Sequence, residues 1–542
     1  MTASALKAAD TASAPMLEGD GSVSQGYTDR GVRARTVVRR LPAARRPAPR
    51  APGEWLKPFE RLAAAEQRPW KVGLLSDFTR IPYANGAVFQ TRALYQELNR
   101  CGHQVTLVGP RDPAAGSGDV PPGTIALPSV PLRTYDGVHL PMPLEREVLD
   151  PNRYDFDICF AQTTTMLLEL GVWLRKMRGV PLLCVNTTHL VAAYDVLLPE
   201  RLSKVESVHR VLMATLKRPL ENLFVDLYNQ SDGLVVLSEG LRDYWRSLGV
   251  RAPIHVIGRM VTPQNFDKPL GPDPFAKVLA ERGLPAGGPR LLSAGRNTRE
   301  KKQDRLIRIF AKHVAPKHPT ATLFFVGDGP DTGSYKALAK RLGVESRVVF
   351  VGEVAFSSMP DFYRHADLFL HVSLSETFGN VLGEALWCGA PAVAFADGMG
   401  ASAQVADGVN GRLVPPAGPL RGDDEGDEAF GAAVLSLLAD EERRVMYAAG
   451  AARRARELHS PHVIEQKLCD AFVAAREHAR ASGLKPLVEG SKLGQWRETM
   501  RCLRSWAGYQ GGIYLSGYLR PRAATYAAKS RQPRFVEPPH EA

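Results

Sequence analysis

From Trp70 onward, short apolar runs bounded by polar residues alternate with longer segments whose apolar positions recur at helical spacing. Trp70-Lys71-Val72-Gly73-Leu74-Leu75 reads as a first strand and Val88 to Arg100 as an amphipathic helix. Gly102-His103 is its exit, and Gln104-Val105-Thr106-Leu107-Val108 is a second strand, which makes a βαβ opening. Asp155 to Phe160, Leu182 to Asn186 and Gly233 to Ser238 continue the strand series. Beyond residue 260 the alternation starts again, with Arg290 to Ala294, Leu323 to Val326, Val348 to Val351, Leu368 to Val372 and Pro391 to Phe395. The pattern predicts an α/β chain of two Rossmann-like halves.

The densest chemistry lies between two of these strands. Glu376 and Glu384 flank Gly379, and the stretch Asn380 to Cys388 has helical composition and ends at Gly389, a natural residue to follow a helix, with Pro391 close behind. In a strand–turn–helix unit the helix start points free N–H groups into the crevice at the strand ends, where a diphosphate can be held, and Gly379 lets the backbone come close. Glu376 then sits just ahead of the helix and Glu384 inside it, roughly 7 to 8 Å along the axis, so that the two acids grip opposite ends of one ligand. A helix with an N-terminal acid and a solvated glutamate explains the spacing alone; the flanking strands favour the site.

Three further segments accompany this one in order. Arg290 to Asp304 contains a strand, Gly295-Arg296 and Lys301; Leu323 to Pro330 is a strand running into Gly327-Asp328-Gly329-Pro330; Val348 to Val354 is a strand with Gly352, followed by Met359 to Tyr363. With the Glu-x7-Glu segment, this series resembles the C-terminal domain of the retaining GT-B glycosyltransferases of family 4, glycosyl transferases group 1, over roughly two hundred residues. The resemblance implies that Arg296 and Lys301 bind the donor diphosphate and that Glu384 accepts hydrogen bonds from the ribose. It implies that Glu376 and the backbone of Phe378, Gly379, Asn380 and Val381 hold the sugar, and that Val354 touches the base through main chain. Preorganised cations can stabilise the charge of the departing diphosphate in place of a metal, so no metal or cofactor is expected beyond the nucleotide-sugar substrate. One departure is Ala403, where many relatives carry a glutamate ahead of Asp407-Gly408-Val409-Asn410-Gly411.

The first half carries a thinner version of the pattern. Asn85 and Gly86 precede the first helix, where backbone N–H groups would meet the donor phosphate, although a structural turn explains them equally. His189 follows the Leu182 to Asn186 strand at its carboxyl end; the resemblance implies a place near donor sugar and acceptor, and a structural histidine is the alternative. Ile257-Gly258-Arg259-Met260-Val261, with Phe266 beyond, and Leu127 to Leu132, with Tyr135 and Leu140-Pro141, resemble segments of the glycolipid-forming subgroup, the sulfoquinovosyl-, glucosyl- and mannosyl-diacylglycerol synthases. Met260 stands where that subgroup has glycine, and Thr262 or Pro263 where it has an acid.

Charge is concentrated at the ends. The net charge is +12, with 12 basic against 7 acidic residues in 1–68 and 10 against 4 in 485–542, so the body between is nearly neutral. The Arg/Pro/Ala-rich stretch 1–68 lacks apolar residues to bury and is expected to be disordered. In the 485–542 tail, Trp496, Trp506, Tyr509 and Tyr514 interleave with Arg497, Arg501, Arg504 and Arg520, which suits an anionic membrane face or docking onto the N-terminal domain. Nucleic acid is not an expected partner, since no binding module accompanies the basic residues. Cys101, Cys159, Cys184, Cys388, Cys469 and Cys502 show no metal or redox spacing. No apolar run is long enough to span a bilayer and the first residues lack the order of a secretory signal, so a cytoplasmic enzyme, with peripheral contact at the inner membrane face, is expected.

The expected organisation is an extension at 1–68, an N-terminal acceptor domain at 69–262, a donor domain at 263–458, a helix returning to the first domain at 459–484, and the tail at 485–542. The expected activity is transfer of a sugar, with retention, from a nucleoside-diphosphate sugar to a hydroxyl of a lipid or cell-envelope glycan. A GT-B sugar-nucleotide epimerase or phosphorylase, and a non-catalytic nucleotide-sugar or membrane-binding protein, are the alternatives.

Overall fold

Each half of the chain is built on a parallel sheet whose central strands are buried on both faces, while its edge strands are only partly buried. The computed structural model describes residues 57–518 apart from 80–85, 117, 132–138, 144, 164–166, 188–205, 375 and 417–422. The strands of the first half are β1 (Lys71–Ser76), β2 (Gln104–Pro110), β3 (Ile125–Leu127), β4 (Ser129–Pro131), β5 (His139–Pro141), β6 (Ile158–Gln162), β7 (Leu182–Val185), β8 (Gly233–Val236) and β9 (Ile254–Val256). Those of the second half are β10 (Arg290–Ala294), β11 (Thr322–Val326), β12 (Val348–Gly352), β13 (Leu368–His371), β14 (Ala392–Phe395) and β15 (Gly411–Val414). Among the described residues the first sheet runs β3-β2-β1-β6-β7-β8-β9 and the second β12-β11-β10-β13-β14-β15, while β4 and β5 form a separate antiparallel pair. The expected two-domain α/β architecture is present.

In both sheets the strand order reverses beside the first strand, between β1 and β6 and between β10 and β13. Such a switch point opens a crevice at the carboxyl ends of the two strands, because their following connections leave in opposite directions. The opposite ends are closed by a device that recurs three times. An aspartate just ahead of one strand accepts the N–H at or next to the start of its neighbour: Asp157 from Lys71 at 2.8 Å, Asp367 from Arg290 at 2.8 Å and Asp232 from Leu182 at 2.9 Å. Each satisfies a backbone donor that the ladder leaves unpaired at its edge.

The helices used below are α1 (Pro58–Glu66), α2 (Gly86–Arg100), α3 (Leu167–Arg178), α4 (Glu239–Leu248), α5 (Met359–His365), α6 (Asn380–Trp387), α7 (Glu441–His459), α8 (Pro461–Ala481) and α9 (Lys492–Tyr518). α2 closes the βαβ opening, and Gly102 leaves it with φ of 85°, a left-handed backbone that glycine adopts without a Cβ clash. The stretch expected to be disordered through residue 68 gives way earlier to α1. Its Phe59 and Leu62 have a surface to bury against: they join Ile464, Leu468 and Phe472 of α8 and Phe160 of β6 in one apolar cluster. The Phe472 ring lies 5.4 Å from that of Phe160 and 6.2 Å from that of Phe59. α8 thus carries the chain from the second half back onto the first. Residues 1–56, with most of the arginines of the extension, lie outside the described residues.

The tail docks as well. Cys502 and Trp506 of α9 are fully buried, the Trp506 indole donates to the Pro141 carbonyl of β5 at 2.9 Å, and the Trp173 indole of α3 donates to Thr499 at 3.2 Å. Arg501 joins Glu169 of α3 at 2.9 Å and Glu498 of its own helix at 2.7 Å. The opposite face of α9 stays open, with Leu493, Trp496 and Met500 exposed by 56, 60 and 39%. All six cysteines are free and buried. Among the described residues no helix is long and apolar enough to cross a membrane.

Candidate active site

Most of the residues singled out in the second half lie in the segments that follow β10 and β13, the two strands of the switch point, while Val354 follows β12. After β10, Gly295 turns with φ of 133° and its N–H bonds back to Val326 of β11 at 2.9 Å. The Gly-Asp-Gly-Pro turn braces this loop. The Asn297 N–H donates to the Asp328 carbonyl at 3.1 Å, while the Asp328 carboxylate accepts from Gly329 N–H at 2.8 Å and Thr332 hydroxyl at 2.6 Å. A Cβ on Gly329 would stand 2.2 Å from the Asn297 carbonyl oxygen, so only glycine permits that approach. Arg296 is exposed at the turn, and Gln303 ties its carbonyl at 2.9 Å. Lys301 ends a short 3-10 turn, and Lys302 after it holds a left-handed φ of 57°, one of two non-glycine residues among those described to do so. Such backbone strain persists only where surrounding contacts fix it.

Lys301 points at the other loop. Its Nζ donates to Glu376 Oε1 at 2.6 Å, with the lysine side chain 33% and the glutamate 11% exposed, and His371 Nε2 at the end of β13 stands 3.8 Å from the same oxygen. Burial alone would raise the Glu376 carboxyl; Lys301 and His371 outweigh it and hold it down at about 2. Burial pulls the Lys301 ammonium down, but Glu376 leaves it raised, and burial lowers His371. At neutral pH the trio is therefore carboxylate, ammonium and neutral imidazole. His371 Nε2 is enclosed without a hydrogen-bond partner among the described residues.

Gly379 caps α6 with φ of 81°, and α6 ends at Trp387 with Gly389 beyond it at φ of 79°. Glu384, one turn inside, lies apart from the ion pair and receives a hydrogen bond from the buried Tyr363 hydroxyl of α5 at 2.9 Å. Burial pushes its carboxyl up to about 7 against the pull of that bond. The two acids thus occupy opposite electrostatic settings. Val354 and Val381 pack partly buried against the apolar cluster that includes Tyr363 and Leu382.

A segment that sequence reasoning passed over holds this loop in place. Gln404, next to Ala403, is buried, and its amide donates to the carbonyls of Phe378, Gly379 and Gly400, the last two at 3.4 and 3.3 Å. Gly400 N–H donates to the Glu376 carbonyl at 3.0 Å, and a Cβ on Gly400 would stand 2.6 Å from the Phe378 carbonyl oxygen. The signal in the sequence was the polar residue beside the Ala403 departure. His371 and Tyr363 were likewise visible only as parts of apolar runs.

The first half meets the site at several points. Thr377 hydroxyl donates to the Thr187 carbonyl at 3.0 Å, just past β7. Phe378 packs edge-on to His459 at the end of α7, ring centroids 5.2 Å apart. The Gly240 Cα of α4 lies so near Gly398 that a Cβ would fall 1.8 Å from the Gly398 carbonyl oxygen. Gly86 is the first residue of α2; Asn85 and His189 lie outside the described residues. A hollow lined by Glu145, Glu147, Asp150, Asn152 and Arg153 shares no residue with this site.

Two paired Rossmann-like sheets with charged groups gathered at a switch point define a GT-B protein. Residues 84–265 match the family described as Glycosyltransferase Family 4 and residues 276–454 that described as Glycosyl transferases group 1. The chain belongs to these glycosyltransferases. It is similar to the α-monoglucosyldiacylglycerol synthase of Streptococcus pneumoniae, 27% identical over 60% of this chain and 70% of that protein. It is also similar to the D-inositol 3-phosphate glycosyltransferase of Xylanimonas cellulosilytica, 36% identical over 41% of this chain and 52% of the relative, about half its length. Among solved structures, HepE of Anabaena in complex with UDP and glucose superposes with a TM-score of 0.58 at 20% identity, over 75% of this chain and all of that one. Sucrose-phosphate synthase of Thermosynechococcus elongatus gives 0.57 at 22% identity over 74% of this chain and 98% of its own. At those identities the likeness is one of fold.

Proposed function

We propose that this enzyme transfers a sugar, with retention of anomeric configuration, from a nucleoside-diphosphate sugar to a hydroxyl of a lipid or cell-envelope acceptor. The observation that carries the reading is the Lys301–Glu376 pair at the switch point, beside the left-handed Gly379 that opens α6. A diphosphate at that helix start meets free N–H groups and the Lys301 ammonium, with Arg296 at the neighbouring turn. Glu376, freed of part of its hold on Lys301 as the phosphate arrives, accepts from sugar hydroxyls, with the backbone of Phe378 to Asn380 on the same side. Glu384 accepts from the ribose, and the departing phosphate oxygen takes the acceptor proton on the face it leaves. The cations bear the leaving-group charge, so turnover is expected to survive excess chelator. His189 is assigned to the acceptor side from the sequence pattern.

The pneumococcal relative is by name an α-monoglucosyldiacylglycerol synthase, which favours a lipid acceptor. The open Leu493-Trp496-Met500 face of α9, flanked by Lys492, Arg497 and Arg504, supports peripheral contact with an anionic bilayer. The test is incubation with radiolabelled UDP-, GDP- and ADP-sugars and diacylglycerol in anionic vesicles, with the anomeric configuration of the product read by NMR. An α-linked glycolipid from an α-linked donor is the expected product. Interconverted donor without acceptor would mean an epimerase, sugar phosphate formed only with inorganic phosphate a phosphorylase, and binding without any product a non-catalytic protein.

A further inference from the structure

Arg259 is buried and has no counter-charge among the described residues. Three arginines among the described residues are more than nine-tenths enclosed, at 9% exposure for Arg175, 6% for Arg305 and 8% for Arg259. The first two each hold an acid, Arg175 the Asp232 carboxylate at 2.7 Å and Arg305 that of Asp427 at 2.6 Å. Arg259 makes no hydrogen bond or ion pair among the described residues. Burial lowers its guanidinium to about 10, with no acid opposing the shift, yet leaves it charged at neutral pH. An enclosed, unpaired cation costs several kcal/mol by the general balance of desolvation against pairing. A fold that keeps one has a use for it when an anion arrives.

Its surroundings say where that anion comes from. Arg259 lies in the connection after β9, and both neighbours touch the site's framework. A Cβ on Gly258 would stand 3.0 Å from the Phe378 ring, two residues beyond Glu376. The Met260 carbonyl accepts from Gln90 of α2 at 3.3 Å, and Val261 N–H donates to the His459 carbonyl at 2.9 Å. The loop of the acid–lysine pair, the helix of the first βαβ unit and the junction of α7 with α8 thus converge on this connection.

We infer that Arg259 binds a phosphate oxyanion of a substrate, completing from the first half the set of cations that Lys301 and Arg296 begin in the second. A guanidinium suits this because its planar fork gives two parallel hydrogen bonds to phosphate oxygens. The phosphate belongs either to the donor diphosphate or to a phosphorylated acceptor. The inference rests on the glycosyltransferase reading of the site above.

The test compares wild-type protein with Arg259→Gln by thermal shift and calorimetric titration, using UDP as the donor probe and sn-glycerol 3-phosphate as the acceptor probe. Without ligand, Arg259→Gln should melt at or above the wild-type midpoint, since the charge it removes has no partner among the described residues. Its affinity for one probe should fall by about tenfold or more, as expected for loss of a charge-assisted pair. Loss with UDP assigns the donor diphosphate, and loss confined to glycerol phosphate assigns the acceptor. Wild-type affinity for both probes in Arg259→Gln overturns the inference. Should that variant not fold, Arg259→Lys carries the test: weakened binding of one probe supports the role of the fork, and unchanged binding of both overturns it. A wild-type protein that binds no UDP, GDP or ADP would instead sink the underlying reading of the site.

Discussion

Two buried carboxylates, Asp232 and Glu376, each face a cation, at opposite ends of their strands. Asp232, at the head of β8, is fully enclosed. It receives both Arg175 nitrogens at 2.7 Å and the Leu182 N–H at 2.9 Å, and His478 of α8 stands 3.1 Å away. Its lone pairs are spent on fastening α3, β7 and α8 together. Glu376, past the tail of β13, is held through one oxygen by a lysine that remains a third exposed, beside a histidine nitrogen 3.8 Å away that has no hydrogen-bond partner among the described residues. A saturated pair is scaffold, because nothing is left to offer a ligand. An under-coordinated pair at a switch point has hydrogen-bonding capacity in reserve, which is what a sugar hydroxyl or phosphate needs.

The most forceful way to break this contrast is Asp232→Ala, which strands the buried Arg175 charge. It is expected to cost about 3 to 5 kcal/mol of stability, read by denaturant unfolding, while turnover per folded molecule at low temperature stays near wild type. A larger loss in turnover than in stability would mean that Asp232 is not scaffold. Next come Lys301→Met and Glu376→Gln, each expected to lower kcat by roughly 10² to 10³, about 3 to 4 kcal/mol of barrier. Removing one partner also leaves the other charge less satisfied, so both should melt somewhat below wild type, though by less than Asp232→Ala because Lys301 reaches water. Turnover within a few-fold of wild type in Lys301→Met would remove the site from β10 and β13.

Acid and base separate the two glutamates further. Glu384 has a raised carboxyl, at about 7 against the ordinary 4.5, so its ionisation in the folded protein opposes stability as pH rises from 4.5 through 7. Glu384→Gln should therefore be more stable than wild type at pH 8, by about 3 kcal/mol, since a tenfold change in an ionisation equilibrium is worth about 1.4 kcal/mol. That difference should fade below pH 4.5. Glu376 has the opposite sign: its contribution is present above 4.5 and is lost as pH falls toward 2. Wild-type protein should lose stability across that window, and Lys301→Met should show a shallower loss in the same acid titration. The smallest effect is expected for Trp496→Ser, on the open face of α9, which should weaken sedimentation with anionic vesicles and leave the melting midpoint unchanged.

Much of the frame was legible along the chain. The βαβ opening, the strand series in each half and the glycines at 379 and 389 follow from the period of apolar residues and from backbone sterics, and α2 and α6 begin and end within a few residues of where those patterns put them. The start of the folded body is hidden in the sequence, because Phe59 and Leu62 look isolated until α8 supplies the Phe472 they pack on. The tail was ambiguous for the same reason: its aromatics suit a bilayer or a protein surface, and the packing of Trp506 on β5 is visible only in three dimensions.

The order of strands and helices, the turns that require glycine and the presence of two acids around a helix start depend on residues close together along the chain, and so are written in the amino-acid order itself. Tertiary structure alone decided what each charge would meet. Lys301 reaches Glu376 across 75 positions, Tyr363 finds Glu384, and Arg259 finds no acid at all among the described residues. Burial and distance set the strength of a charge interaction, and both come into being only when the sheets close on their helices.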